Sequence, residues 1–362
     1  MKTQLLYKAV FMLLLIPTMV LGSNGLNGKH TKEKTIKKEF TVNSNANLKV
    51  NNSYGNINIV TYSGNKTYIE VTVKTNSNDE DKAQKKLDEI TVEFNSSSEY
   101  VSAKTIFDKN KSDSWWSWGK NNNVNMEINY VIKLPITNSV DLSNDYGSIN
   151  LDKLEGRANI NCDYGKITTK ELMADNNYLS FDYTQNSYFE YIKSGKINAD
   201  YSGFIVSKAK NLEISADYTK SVVKIAENVS YNCDYGSITI ENVNNVTGNG
   251  DYLTTLIGDV YKNIDIKADY GSIKIERMNS NAGNVNIESD YVGITIGFDA
   301  SYNFKFDLDL EYASLRDSEG FQFTKKRIES TDKYYQGYYG NSNTSNLIRI
   351  KSNYGSVSFK RN

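Results

Sequence analysis

Ten acidic residues recur along this chain, each directly ahead of an aromatic ring: Asp145, Asp163, Asp182, Asp200, Asp217, Asp234, Asp251, Asp269, Asp290 and Glu311. Among the rings that follow are Tyr146, Tyr164, Tyr235 and Tyr270. Carboxylates at this density could hold a column of calcium ions through oxygen ligands. They could also serve as turn residues in Asx-turns, each accepting a backbone N–H at a corner, with Lys166, Lys220 and Lys274 screening them. The glycine–aspartate nonapeptide of calcium-binding β-rolls is missing, so the turn role is expected and no metal site is assigned. At a strand spacing of roughly 4.8 Å, neighbouring carboxylates would repel by about 0.9 kcal/mol even at the dielectric of water, so something must offset the charge.

Other reactive side chains are scarce. One histidine, His30, excludes a Ser-His or Cys-His arrangement and any His-based metal site. No P-loop type of glycine-rich segment is present, and no cofactor is implied. Some β-solenoids are polysaccharide lyases or hydrolases with acidic sites, but a catalytic carboxylate pair would break the periodicity seen here. We therefore expect no catalytic residues and no enzyme. With 42 basic and 43 acidic residues the formal charge is −1, which leaves no electrostatic footprint for nucleic acid. Two aromatic clusters remain as candidate ligand-binding residues: Trp115, Trp116 and Trp118, and Tyr334, Tyr335, Tyr338 and Tyr339. Exposed rings anchor sugars and protein interfaces, but both clusters could instead cap the ends of a repeat array.

The elements that position these residues follow from the spacing of the tyrosines. Between Tyr146 and Tyr312 they recur every 17 to 21 residues, with an early copy at Tyr54 and a last one at Tyr354, 42 residues on, or two periods. A period near 20 residues marks a solenoid, in which each turn buries its apolar side only by stacking on the next. Six and four residues before the tyrosine the chain is apolar, as at Val140 and Leu142 or Ile264 and Ile266. Three and five residues after it apolar residues return, as at Ile149 and Leu151 or Ile273 and Ile275. Alternation with period two means strands buried on one face, and the parity change requires a corner just after the tyrosine. Gly147, Gly165, Gly236, Gly271 and Gly355 stand there, with Thr184, Ser202 and Thr219 in other copies, and glycine is expected to supply a positive φ. The tyrosines share the apolar parity and are expected at the inner edge of the corner. The fold class is thus all-β, a single-stranded parallel β-solenoid, with right-handed winding favoured. Cys162 and Cys233 stand four turns apart, roughly 19 Å at the stacking distance, too far for a disulfide, so two buried thiols are expected.

Four regions are delimited. Residues 1–22 read as a signal peptide: Lys2 and Lys8, an apolar run broken by Pro17, then Val20-Leu21-Gly22 before Ser23. Residues 23–39, rich in Asn, Gly, Lys and Thr, read as a flexible linker. Residues 40–135 form a less regular β section with a helix at 79–90 and the tryptophan loop, and 136–362 hold the regular array.

This layout is carried by Val-Asn-Asn-Ser-Tyr-Gly-Asn-Ile-Asn-Ile (50–59), a helix-bearing excursion, Tyr-Val-Ile-Lys-Leu-Pro (130–135) and Val-Asp-Leu-Ser-Asn-Asp-Tyr-Gly-Ser-Ile-Asn-Leu (140–151). It resembles the exported bacterial β-solenoid family catalogued as putative adhesins, a domain of unknown function common in Bacteroidetes. The resemblance implies a noncatalytic protein of the periplasm or cell surface that binds glycan or an envelope or host protein. It also implies an alternative, an envelope scaffold or stress-signalling partner. No membrane span is expected after signal cleavage.

Overall fold

Residues 28–107 and 124–362 are described by the computed structural model; the expected signal peptide and the three tryptophans lie outside them. The described residues are all-β, 72% strand with one helix, in a long, mostly parallel, unclosed sheet of many strands. The alternation read from the sequence sets the packing. Val140 and Leu142 are buried and pair with Ala158 and Ile160 of the following turn. In the middle of the array the strands lengthen: Ser187–Asp200, Gly203–Asp217, Lys220–Asp234 and Gly236–Asp251 lie parallel and in register. Asp200 pairs with Asp217, and Asp217 with Asp234. Within each of these turns the pairing breaks again at Ser207 and Lys210, or their equivalents, so the chain bends at two further places besides the tyrosine corner.

The tract expected as a flexible linker is instead structured from His30 onward. His30–Thr41 is an edge strand antiparallel to Lys66–Ser77. Its lysines explain the correction. Lys32 binds Glu80 at 2.5 Å, and Lys34 Nζ donates to the Leu87 carbonyl at 2.5 Å, so both reach the helix Glu80–Glu89. A cation on the last carbonyls of a helix is favourable, and the long lysine stems cover apolar surface. Composition alone suggests solvation for such a run. The helix starts at Asp79, whose carboxylate accepts from the Lys82 amide at 3.2 Å, and buries Ala83 and Leu87.

The helix-bearing excursion covers one end of the array. The turn holding Tyr54 pairs on one side with Ser139–Asp145 and Ile149–Leu151. On its other side it pairs with Tyr100–Phe107 and Val124–Pro135. Buried polar groups there are satisfied in series: Tyr130 Oη meets Thr105 Oγ1 at 2.7 Å, Thr105 donates to Asn52, and Asn52 donates to Asn144.

At the other end the chain departs from its own order. The expected double period after Tyr312 is not two consecutive turns. Leu347–Asn353 and Ser356–Arg361 slot between Val285–Phe298 on one side and Phe304–Glu311 with Ser314–Arg316 on the other. The turn carrying Tyr312 is therefore outermost, and the antiparallel hairpin Gln322–Ile328 and Asp332–Tyr339 covers it. Among the described residues no helix is long and apolar enough to cross a membrane.

Candidate functional site

The tyrosine corner is the most regular surface of the molecule. All twelve repeat tyrosines adopt φ between +49° and +62°, the left-handed region. This corrects two expectations. Tyrosine, not glycine, supplies the positive φ, and the rings stand outside the core, with eleven of them 45–54% exposed. A left-handed residue turns the chain sharply and throws its Cβ outward, which parity counting along a straight strand does not capture. The following glycine is needed for another reason: a Cβ on Gly147 would lie 1.9 Å from the Gly55 carbonyl oxygen of the neighbouring turn.

Left-handed backbone costs roughly 1–2 kcal/mol per L-residue. Two interactions offset that cost. Nine of the tyrosine N–H groups donate to the carbonyl of an acidic residue on the adjacent turn, as Tyr252 does to Asp269 at 2.8 Å and Tyr164 to Asp182 at 3.1 Å, while that of the outermost Tyr312 donates to Thr331. The rings also stack, with centroids 4.6–5.3 Å apart and planes within 7°. Such pairs contribute about 0.5–1.5 kcal/mol each. The stack runs from Tyr54 through Tyr291, then Tyr354, then Tyr312, following space and not sequence.

The carboxylates beside the rings are held differently from the Asx-turns expected. Asp163 Oδ1 accepts the backbone N–H of Asp182 at 3.1 Å, Asp182 that of Asp200 at 3.0 Å, and the relay continues through Asp217, Asp234 and Asp251. Each bond therefore joins two turns. Lys274, expected to screen the column, binds Glu276 at 2.6 Å instead. Burial, and then the neighbouring aspartates, push Asp182 and Asp251 above the usual carboxylate range, although a backbone N–H works against this at Asp182. Burial, then adjacent tyrosines and carboxylates, likewise raise Tyr164, Tyr235 and Tyr270. No group of three or more His, Cys, Asp or Glu able to hold a metal ion occurs among the described residues.

The candidate tyrosines near the C-terminus lie in a strand and not a loop, and they divide. Tyr335 and Tyr339 are buried, Tyr339 packing on Phe298 and Phe304 at 4.9 and 5.5 Å, so they close the end of the array. Tyr334 and Tyr338 lie on the other strand face, half-buried, with Lys325 Nζ 5.1 Å from the Tyr334 ring. Cys162 and Cys233 are buried, unpaired thiols, both pushed up to about 12, chiefly by burial. His30 Nδ1 lies 3.9 Å from Glu80, an exposed pair beside the helix with no nucleophile in it.

One feature escaped the sequence reading. A second side-chain ladder follows another bend, where Asn228 Nδ2 donates to Asn211 Oδ1 at 2.7 Å and Asn245 Nδ2 to Asn228 Oδ1 at 2.8 Å. It borders an open trough of about 540 Å³. Its signal was available: asparagine recurs seven residues ahead of Tyr218, Tyr235, Tyr252, Tyr270 and Tyr291. The louder Asp-Tyr motif masked it.

No protein-family model matches the chain, and no curated protein matches it. Solved structures do. A putative cell adhesion protein from Clostridium sporogenes is 14% identical, with 91% of this chain and 100% of that one covered at a TM-score of 0.19. A putative adhesin from Bacteroides fragilis is 11% identical, covering 91% and 97% at 0.28. A putative lipid binding protein from Parabacteroides distasonis is 10% identical, covering 90% and 96% at 0.31. Adhesin descriptions thus recur among the structures this chain is similar to.

Proposed function

We propose that this chain is a noncatalytic, exported, adhesin-like β-solenoid that presents a rigid repetitive surface for binding glycan or protein. Right-handed winding in turns of 17 to 21 residues belongs to the same reading. The observation that carries it is the exposed tyrosine corner. Eleven half-exposed rings and an adjoining carboxylate column repeat at one spacing over the length of the array. A catalytic centre concentrates unlike groups at one point, whereas this surface distributes like groups evenly. Adhesin-named neighbours are consistent with that direction. Trp115, Trp116 and Trp118, outside the described residues, and the half-buried Tyr334 and Tyr338 are further candidate contacts.

The test is a binding screen of the chain from Ser23 onward against glycans, matrix proteins and bacterial envelope fractions. Two folded variants run beside it, one with Tyr218, Tyr235 and Tyr252 changed to Ser and one with the three tryptophans changed to Ala. A purified ligand whose binding is lost in either variant supports adhesion and locates the contact. Silence throughout, with a partner captured only by crosslinking in intact cells, replaces this reading with the envelope scaffold.

A further inference from the structure

The rings of the tyrosine ladder cover one another's faces, so the platform by which an aromatic side chain usually holds a sugar is unavailable there. The asparagine bend offers what that corner lacks. Its trough runs across five turns, from Asn177 to Asn245, parallel to the stacking direction. Leu212 and Val229 line its floor, and Tyr178, outside the stacked ladder, stands at one wall with its hydroxyl accepting from Asn198 at 2.6 Å. Gly195 keeps the floor low: a Cβ there would come within 2.7 Å of the Asn177 carbonyl oxygen.

The polar groups along the trough retain unused capacity. A side-chain amide has two N–H donors and a carbonyl with two lone pairs. Asn228 spends one donor on Asn211 and one lone pair on Asn245, leaving one of each. The charges are matched: Lys196 binds Glu213 at 2.7 Å and Lys193 binds Asp175 at 2.9 Å. Arg157 Nε donates to the Asn176 carbonyl at 3.0 Å. Apart from Arg157 at one end, the charges along the trough are paired, so over most of its length no net field selects an anion or a cation. An extended peptide is a poor fit, because the turns lining the trough are already paired on both sides and present no free edge for strand addition. Hydroxyl groups that both donate and accept, recurring along a chain with apolar C–H faces, match amides spaced at the strand interval above an aliphatic floor.

We propose that this trough is a binding site for a linear, neutral oligosaccharide lying along the array. The proposal rests on the binding reading above and assigns it a ligand class and a place. The probes are maltohexaose, cellohexaose and mannohexaose, titrated calorimetrically into the full chain, with heparin and polylysine as charged controls. Ser230→Trp fills the trough from an exposed position, Asn228→Ala removes one amide, and Lys37→Ala, on the His30–Thr41 edge strand and outside the trough lining, serves as a control. At least one hexasaccharide should bind, and its affinity should fall about tenfold or more in the first two variants, the loss expected for one or two hydrogen bonds with their packing. It should be unchanged in the third. Circular-dichroism melting confirms that each variant folds. The trough assignment is overturned if no hexasaccharide binds, if only heparin or polylysine binds, or if both trough variants bind like the parent. In each of those cases a hit from the wider screen that is lost in the tyrosine or tryptophan variant leaves the adhesin reading standing. A wholly silent screen removes both.

Discussion

Two bends of the same repeating turn carry ladders of unlike character. At the tyrosine corner the backbone is forced into the left-handed region, and the rings are stacked face to face in compensation. Nearly every group there is committed: amides to the next turn's carbonyls, carboxylates to the next turn's amides, ring faces to ring faces. At the asparagine bend no strained residue is required, and half of the hydrogen-bonding capacity of Asn228 stays free. The first corner has most of its polar groups and ring faces committed within the array. The second has room left for recognition.

The strongest way to break this contrast is to interrupt the tyrosine ladder from outside. Removing Leu347–Asn362 withdraws the turn between Tyr291 and Tyr312, together with Ile348, Ile350, Val357 and Phe359. Each buried side chain of this kind contributes roughly 1.5–3 kcal/mol, so the truncated chain should lose its cooperative melting transition in calorimetry. An unaltered transition would show that the inserted turn does not bind the end together.

Substitutions at the corner sharpen the comparison. Gly147→Ala places a methyl against a neighbouring backbone oxygen and should destabilise by about 1–3 kcal/mol in denaturant titration. Tyr235→Ala retains left-handed strain while losing two stacking partners, and should cost about 1–3 kcal/mol. Tyr235→Gly should recover roughly 1 kcal/mol of that, because glycine takes the same φ freely. Should the two variants prove equally stable, strain at the corner is not the relevant term. Asn228→Ala, at the opposite bend, should cost no more than about 1 kcal/mol, since the two side-chain hydrogen bonds lost both lie at the solvent-facing surface.

Smaller effects follow from the titrating groups. Asp182 and Asp251 have raised values in the folded chain, so the folded state binds protons more readily than the unfolded one there. Their charged forms oppose folding above the raised value, and that opposition fades as pH falls through it. The melting temperature should therefore rise modestly from neutral pH into mild acid, and Asp182→Asn with Asp251→Asn should flatten the trend. A steady fall over the same interval would contradict the sign. The smallest signal belongs to Cys162 and Cys233, which should not react with a thiol reagent at pH 8 until the chain unfolds.

Much was legible along the chain because it is local. The strands flanking each tyrosine, the helix from Asp79, the two unpaired thiols and the solenoid-like stacking follow from residue spacing alone. Period-two burial and a fixed repeat length need no knowledge of distant partners. The His30–Thr41 strand was not legible, because its lysines are explained only by a helix some fifty residues away. The trough was half legible. Its asparagines recur visibly, but their unused donors and matched ion pairs emerge only when five turns are stacked.

The amino-acid sequence by itself determined that this protein is a stack of short parallel strands with a tyrosine at one corner of every turn. The apolar alternation leaves no other economical way to bury its aliphatic side chains. Only the tertiary structure decided which way the rings face, and that the last turn in sequence is the last but one in space. Both depend on contacts between turns: a carbonyl too close for any Cβ at Gly147, and a strand, Val285–Phe298, that pairs with Leu347–Asn353 ahead of Phe304–Glu311.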